Sequence, residues 1–310
     1  MSHGLASASD AKRLFCFGLG YTALTLVRKL AAQGWTIAGT VRTAEKAEAL
    51  ASQDLGARIE TFLFDRDRPL DDAGAALAGT THLLSSVPPD AAGDPVLDAH
   101  FRDIAALKGL QWIGYLSTTG VYGDRNGDWV DETGTLEPTG ERGRRRVAAE
   151  RHWTRLHEES ELAVHLFRLA GIYGPGRSQF RALRDGTSRR VVKPGQVFNR
   201  IHVEDIAQVL AASMAQPSSA RAYNLCDDEA ASPSEVIAYA AELLGIEPPP
   251  AVPFEAAELS PMAQSFYRDS KRVSNERIKR DFGIELLYPT YREGLRAVLE
   301  AETAAKPIAP

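Results

Sequence analysis

Cysteine is almost absent, with two in 310 residues, Cys16 and Cys226. Both lie in apolar runs, "RLFCFG" and "AYNLCD", where a thiol behaves as a small buried hydrophobe. A disulfide framework is not expected, and a reducing cytoplasmic location fits. No stretch approaches the roughly 20 apolar residues needed to cross a bilayer. The opening "MSHGLASASDAKR" lacks the basic-then-apolar order of a secretory signal. Residues 1–11 read as a tail, and the closing "KPIAP" as another. An excess of positive charge is also missing: 36 Lys and Arg against 41 Asp and Glu leave a net charge of −5. Nothing in that balance draws the chain to nucleic acid or a membrane surface, so any anion must be bound by local charge. Internal repeats and low-complexity tracts are absent as well.

What is present is the composition of a soluble globular protein, 44% hydrophobic and 25% charged. The length allows one large α/β domain, or a domain with a smaller lobe. From Arg13 to Ser117, short aliphatic runs alternate with longer helical patterns. The expected strands are 13–18, 35–41, 57–64, 81–87 and 111–117, with a sixth at 163–169 and a seventh at 221–227. Between them, segments such as "YTALTLVRKLAAQG" place Leu24, Val27 and Leu30 on one helical face. Such alternation requires crossover connections and predicts a Rossmann-type, doubly wound parallel sheet of about seven strands. After Gly171 the pattern becomes turn-rich, and "VEDIAQVLAASMAQ" is a clear amphipathic helix. From Ser232 onward the expectation is a helix at 233–245, a proline-rich connection and two short helices with basic faces. The domain boundaries expected are 12–170 for the dinucleotide domain, with 200–230 returning to it, and 171–199 plus 231–300 for a small, mostly helical substrate lobe.

Directly after the first strand comes "GLGYTA", a GxGxxA turn. Gly18 permits the tight strand-to-helix turn, Gly20 lets backbone approach a pyrophosphate, and Ala23 keeps helix and strand close. The N–H groups opening the helix, at Tyr21, Thr22 and Ala23, face the anion. The pattern alone is weak; strand before and amphipathic helix after make it a dinucleotide-site candidate. At the end of the second strand, where an NAD site carries an acid for the ribose 2′-OH, the chain has Arg42. An arginine fork there suits a 2′-phosphate, favouring NADP over NAD; the plain alternative is an exposed arginine at a strand end. Asp65 closes the third strand and "SSVPP", with Ser86 and Pro88, closes the fourth, both at the edge where such sheets meet ligands. Asp65 reads equally as an adenine contact or as a turn residue.

Together these segments resemble the short-chain dehydrogenase/reductase superfamily, in its extended NAD(P)-dependent epimerase/dehydratase form, over residues 13–300. "YLSTTGVYGD" (115–124), "VDETGTLEP" (130–138), "FRLAGIYGPGR" (167–177), "NRIHVEDIA" (199–207) and "YNLCDDE" (223–229) are similar to that family's motifs, in the same order. The resemblance implies that Thr118 orients the substrate, four residues before Tyr122. It also implies a tyrosine and lysine, four apart, opening the next helix to move the proton. With Gly143 and Glu150 as anchors, Arg142 stands in the tyrosine's place and Arg146 in the lysine's. No tyrosine lies between Tyr122 and Tyr173, so no change of alignment restores the pair.

An arginine side chain stays protonated near neutral pH and cannot do the tyrosine's work. Arg146 could still donate to the nicotinamide ribose. The alternative proton carriers are Tyr122, Tyr173, or His202 paired with Asp205, although Asp205 could instead bond backbone. From Arg177 to Arg200 the chain carries seven basic residues and one acid, Asp185. That reads either as an anion-binding pocket or as a solvated loop. The candidate substrate-binding set is therefore Tyr173, Arg177, Arg200 and His202. Two functions fit: an NADP-dependent oxidoreductase or epimerase-like enzyme for a small anionic or sugar-derived substrate, working as monomer or homodimer, or an NADP(H)-binding sensor with little turnover.

Overall fold

The computed structural model describes residues 12–218 and 220–304; the tails expected at 1–11 and at "KPIAP" lie outside the described residues. The first part runs β1 (Arg13–Phe17), α1 (Tyr21–Ala31), β2 (Thr36–Val41), α2 (Ala44–Ala51), β3 (Ile59–Leu63), α3 (Ala73–Leu77), β4 (His82–Ser85), α4 (Pro95–Ala105) and β5 (Trp112–Thr118). A short 3₁₀ turn, Thr119–Tyr122, leads to β6 (Trp129–Val130) and the long α5 (Glu141–Ser160). Then follow β7 (Val164–Leu169), β8 (Gly171–Tyr173), α6 (Phe180–Arg184), β9 (Arg190–Val192), β10 (Arg200–His202), α7 (Val203–Ala215) and β11 (Arg221–Leu225). The chain closes with α8 (Pro233–Leu243), β12 (Ala251–Pro253), α9 (Pro261–Phe266), β13 (Arg272–Val273), α10 (Glu276–Phe282) and α11 (Tyr291–Ala304).

Seven strands form one parallel sheet in the order β11-β7-β5-β4-β1-β2-β3. Each falls on the segment its aliphatic run predicts. Phe15 pairs with Ala38 on one side and Leu83 on the other, and Leu14 to Phe17 are fully buried, as a strand covered on both faces requires. The order reverses between β1 and β4, where doubly wound sheets open a crevice for ligands.

The chain forms two compact units. Among the described residues, the first comprises 12–116, 148–166 and 210–221, and the second comprises 117–147, 167–209 and 222–304. The C-terminal part corrects the reading of two short basic helices, because three helices follow the proline-rich connection and the last, α11, has 14 residues. Tyr291, Gly294, Leu295 and Val298 form its buried stripe and pack with Val236, Ala240 and Ala241 of α8. Gly294 hides that stripe from a hydrophobicity count. A Cβ there would lie 1.9 Å from the Tyr173 hydroxyl, so the position is reserved for backbone.

Candidate functional site

In the first unit the glycine turn joins β1 to α1. Gly18 adopts φ +89°, a left-handed conformation that costs glycine little, and a Cβ there would meet the Ser86 hydroxyl at 2.7 Å. Ser86 Oγ donates to the Gly18 carbonyl at 2.7 Å, and Thr40 Oγ1 accepts from Gly18 N–H at 2.9 Å. The turn is thus held from β4 on one side and β2 on the other. Gly39 is also a required glycine, since a Cβ would lie 2.6 Å from the Cys16 carbonyl. Beyond the turn, Gly20 faces open space, and a Cβ added to it would meet nothing within 4 Å. No side chain caps α1, its first turn holds no acid, and Arg28 and Lys29 sit in its last turn. An open, uncapped helix start beside small residues fits the pyrophosphate of a dinucleotide.

Arg42 is exposed at the end of β2, next to Thr43, whose side chain caps α2. The guanidinium of Arg68 donates to the Arg42 carbonyl and to Asp65 Oδ2. Asp65 Oδ1 accepts from Asp67 N–H at 3.0 Å. Asp65 therefore holds Arg68 next to Arg42, an arrangement the sequence reading missed; the only signal was the local "DRDR" pattern. Arg66 turns the other way and grips Asp90 through two bonds, 2.7 and 2.8 Å, fastening the loop that carries Pro88.

In the second unit, Thr118 is half-buried, and its Oγ1 accepts from Gly120 N–H at 3.1 Å. The hydroxyl proton stays available to a ligand. Gly143, in the first turn of α5, packs against this segment: a Cβ would lie 2.6 Å from Pro138 Cβ and 2.8 Å from the Gly120 carbonyl. That close approach brings the helix carrying Arg142 and Arg146 against the Thr118–Tyr122 turn. Arg142 is exposed and Arg146 half-buried. Their neighbours Arg144 and Arg145 both pair with Glu141, at 3.0 and 3.1 Å, so one carboxylate of the same helix is shared between two arginines of the block.

Tyr122 is fully buried. Its hydroxyl donates to Asn224 Oδ1 at 2.7 Å and accepts from Arg168 Nη1 at 2.9 Å. Burial pushes the phenol up to about 12 against the opposing charge of Arg168. Glu132 Oε1 accepts from Asn224 N–H at 2.8 Å, and Arg277 faces its other oxygen at 3.5 Å. Tyr122 is the centre of a buried network and presents no proton to a ligand. Tyr173 is likewise buried, its phenol raised by desolvation and its hydroxyl 3.5 Å from the Thr290 carbonyl.

His202 stacks edge-on to Tyr173, with ring centroids 5.2 Å apart. Its Nδ1 accepts from Glu204 N–H at 3.2 Å, its buried Nε2 has no hydrogen-bond partner among the described residues, and burial lowers the ring to about 4. Asp205 does not face His202; it accepts from the N–H groups of Leu287 and Tyr288, at 2.6 and 3.2 Å. Arg200 donates to the carbonyls of Phe198 and Ala231, both at 3.0 Å. Its basic neighbours disperse: Arg184 pairs with Glu302, while Arg189 and Arg190 bond the carbonyls of Glu258 and Pro249. Arg177 is exposed.

The sequence profile of the NAD-dependent epimerase/dehydratase family matches residues 18–226. The chain belongs to this family. A protein of unknown function from Silicibacter pomeroyi DSS is 54% identical in sequence, with a TM-score of 0.86 over 94% of this chain and 99% of its own. Protein YeeZ of Escherichia coli K12 is 29% identical over 90% of this chain and 97% of its own. The UDP-glucuronic acid 4-epimerase of Bacillus cereus, solved with UDP-glucuronic acid and NAD, shares the fold at 13% identity, TM-score 0.76, over 95% and 100% of the two chains. Within an epimerase/dehydratase frame, the segments containing Tyr122, Glu132, Arg168 and Asn224 meet in one buried network. The "VYG", acidic-proline, "FRLAGIYG" and "YNL" motifs therefore share a structural task. No helix among the described residues is long and apolar enough to cross a membrane.

Proposed function

We propose that this chain is an NADP-preferring oxidoreductase or epimerase-like enzyme acting on a small anionic or sugar-derived substrate, with an altered proton-transfer site. The observation that carries the cofactor reading is the exposed Arg42 at the end of β2, with the Arg68 guanidinium bonded to its backbone carbonyl. Two planar forks suit a 2′-phosphate and repel nothing in it. Family membership and an NAD-bound relative of the same fold support a dinucleotide in general.

In this reading Gly18, Gly20 and Ala23 leave room for the pyrophosphate. The N–H groups of Tyr21 and Thr22 bond it, and Ser86 and Pro88 line the facing loop. Asp65 acts through Arg68 rather than on the adenine. When bound, the cofactor supplies reversible hydride transfer. Thr118 donates its hydroxyl to a substrate oxygen, while Arg142, Arg146 and Arg177 attract an anion. Tyr173, Arg200 and His202 shape the wall behind them. Neither Tyr122 nor Tyr173 moves a proton, and the loss of general acid/base help lowers turnover by about 10²–10⁴-fold relative to a tyrosine-bearing site.

The burial of both phenols also favours a second reading, a sensor that binds NADP(H) with little turnover. Fluorescence titration with NADPH and NADH tests the cofactor. NADPH should bind at least about 10-fold more tightly, and Arg42→Ala should erase that margin while leaving NADH unchanged. Equal affinities in the unaltered protein defeat the proposal. Incubating the NADPH complex with carbonyl compounds and nucleotide sugars then separates the readings: oxidation or a new product supports the enzyme, and tight binding without either supports the sensor.

A further inference from the structure

In the first unit, hydrogen bonds join the carboxyl ends of β1, β2, β3 and β4 into a closed ring. Ser86 Oγ, after β4, donates to the Gly18 carbonyl, and Gly18 N–H donates to Thr40 Oγ1 in β2. The Arg68 guanidinium, after β3, donates to the Arg42 carbonyl after β2. Arg66 closes the ring from β3 to β4. Its Nε and Nη2 donate to the two oxygens of Asp90 at 2.7 and 2.8 Å, Nη2 also to the Gly93 carbonyl at 2.9 Å, and Nη1 to Asp98.

That last link differs from the other three in span and in charge. In the sheet, β1 and β2 lie between β3 and β4, and three strand steps amount to about 14 Å. The Arg66 bridge therefore spans the width of β1 and β2, whose carboxyl ends carry the glycine turn and Arg42. Of the four links it alone is an ion pair. The local chain is shaped for it: Asp90 Oδ1 also accepts from the N–H groups of Ala92 and Gly93, at 2.8 and 3.3 Å, which fixes the carboxylate in a tight turn. Gly93 has φ +144°, and a Cβ there would lie 2.9 Å from Asp98 Oδ2, so the missing side chain leaves Asp98 room to reach the same guanidinium. Arg66 holds Asp90 below the ordinary carboxylate range, and the pair stays charged at neutral pH. Yet the side chains of Arg66 and Asp90 are 28% and 42% exposed, so water can replace their bonds. A two-pronged pair that water reaches is strong enough to stay closed and weak enough to open.

We infer that the Arg66–Asp90 pair is a latch that sets how fast a dinucleotide enters and leaves the carboxyl edge, without setting how tightly it is held. This rests on the dinucleotide reading of the glycine turn. Ligands of such sheets lie outside the carboxyl ends of the strands, and the ring must open for passage in either direction. Neither side chain touches the cofactor in that reading. A latch that is closed with the site filled or free cancels from the affinity, because only a difference between the two states can shift it. It acts on both rates instead.

Stopped-flow fluorescence with NADPH and the full chain measures both rate constants. Arg66→Ala should raise association and dissociation together, each about 5-fold or more, with Kd within about 3-fold of the parent. Loss of a ligand contact would raise dissociation alone and weaken Kd. Asp90→Asn, which keeps an acceptor for the Ala92 and Gly93 N–H groups, should act in the same direction to a smaller extent, and it keeps the test valid if Arg66→Ala does not fold. Amide hydrogen exchange of the chain without cofactor is the second readout: segments 64–70 and 88–94 should exchange faster together in Arg66→Ala. The latch is refuted if a folded variant keeps the parental amide exchange, keeps both parental rate constants, or changes dissociation alone. A parent that binds neither NADPH nor NADH defeats the dinucleotide reading itself and the latch with it, whatever the amide exchange shows.

Discussion

Lowering the pH from 7 to 4 should open the first unit before the second, and the reason lies in three buried histidines. His82 and His165 belong to the first unit and His202 to the second; each is held down to about 4 from an ordinary 6.5 by burial. In the unfolded chain they take up protons below about 6.5, whereas in the folded chain they wait until about 4. The unfolded state therefore binds more protons across that window, and stability falls as pH falls. At about 1.4 kcal/mol per pH unit, each histidine removes about 3 kcal/mol by pH 4. In the second unit the loss is opposed. Asp205, raised by burial to about 6 from 3.8, protonates in the folded state first and returns about 3 kcal/mol over the same range. Glu132 and Asp227, raised for the same reason, act with it. The first unit thus loses about 6 kcal/mol, a large part of the 5–15 kcal/mol that holds ordinary domains together, while in the second the histidine loss is opposed by Asp205.

Each unit contains its own probe, because Cys16 lies in the first and Cys226 in the second, and both are fully buried. Labelling with 4,4′-dithiodipyridine, which reacts with thiols at acid pH, should reach Cys16 at a higher pH than Cys226. Urea unfolding followed by circular dichroism should show the midpoint dropping between pH 6.5 and 4.5. A midpoint constant across that range, or Cys226 reacting first, would refute the reasoning. His82→Gln should remove about half of the first unit's pH-dependent loss, whatever it does at pH 7.

Gly294→Ala should cost about 2–4 kcal/mol, because its Cβ would fall 1.9 Å from the Tyr173 hydroxyl. Tyr173→Phe should restore part of that in a double-mutant cycle, with a coupling of about 0.5–3 kcal/mol; strict additivity in urea unfolding contradicts the contact. Gly143→Ala forces α5 away from the Gly120 carbonyl, and thermal unfolding should reveal a loss of about 1–3 kcal/mol. Tyr122→Phe leaves Asn224 and Arg168 without the phenol they share, so a loss of about 1–3 kcal/mol is expected by urea unfolding. A neutral result there means that the network is not structural.

Much of the fold was legible because parallel strands buried on both faces must be continuous apolar runs, and β1, β4 and β7 read that way at once. The glycine turn was legible because few other residues fit a positive φ against a neighbouring strand. Less was legible where a residue's meaning depends on what stands opposite it. Arg68 looks like any surface arginine until Asp65 and the Arg42 carbonyl hold it. Gly294 looks like a helix breaker until Tyr173 occupies its missing side chain. The basic run from Arg177 to Arg200 suggests one pocket, yet its side chains leave in different directions toward carbonyls and acids far along the chain.

The sequence by itself determined the alternation of strands and helices, the crossover connections and the glycine turn that opens α1, since periodicity and turn chemistry are local properties. It also determined that no tyrosine lies between Tyr122 and Tyr173, a stretch that contains the arginines of α5. Only the tertiary structure decided that Tyr122 is a buried hub and that Arg68 bonds the Arg42 carbonyl. Those outcomes depend on which groups meet after long-range packing, where desolvation and pairing, rather than residue type, decide whether a side chain supports the fold or faces a ligand.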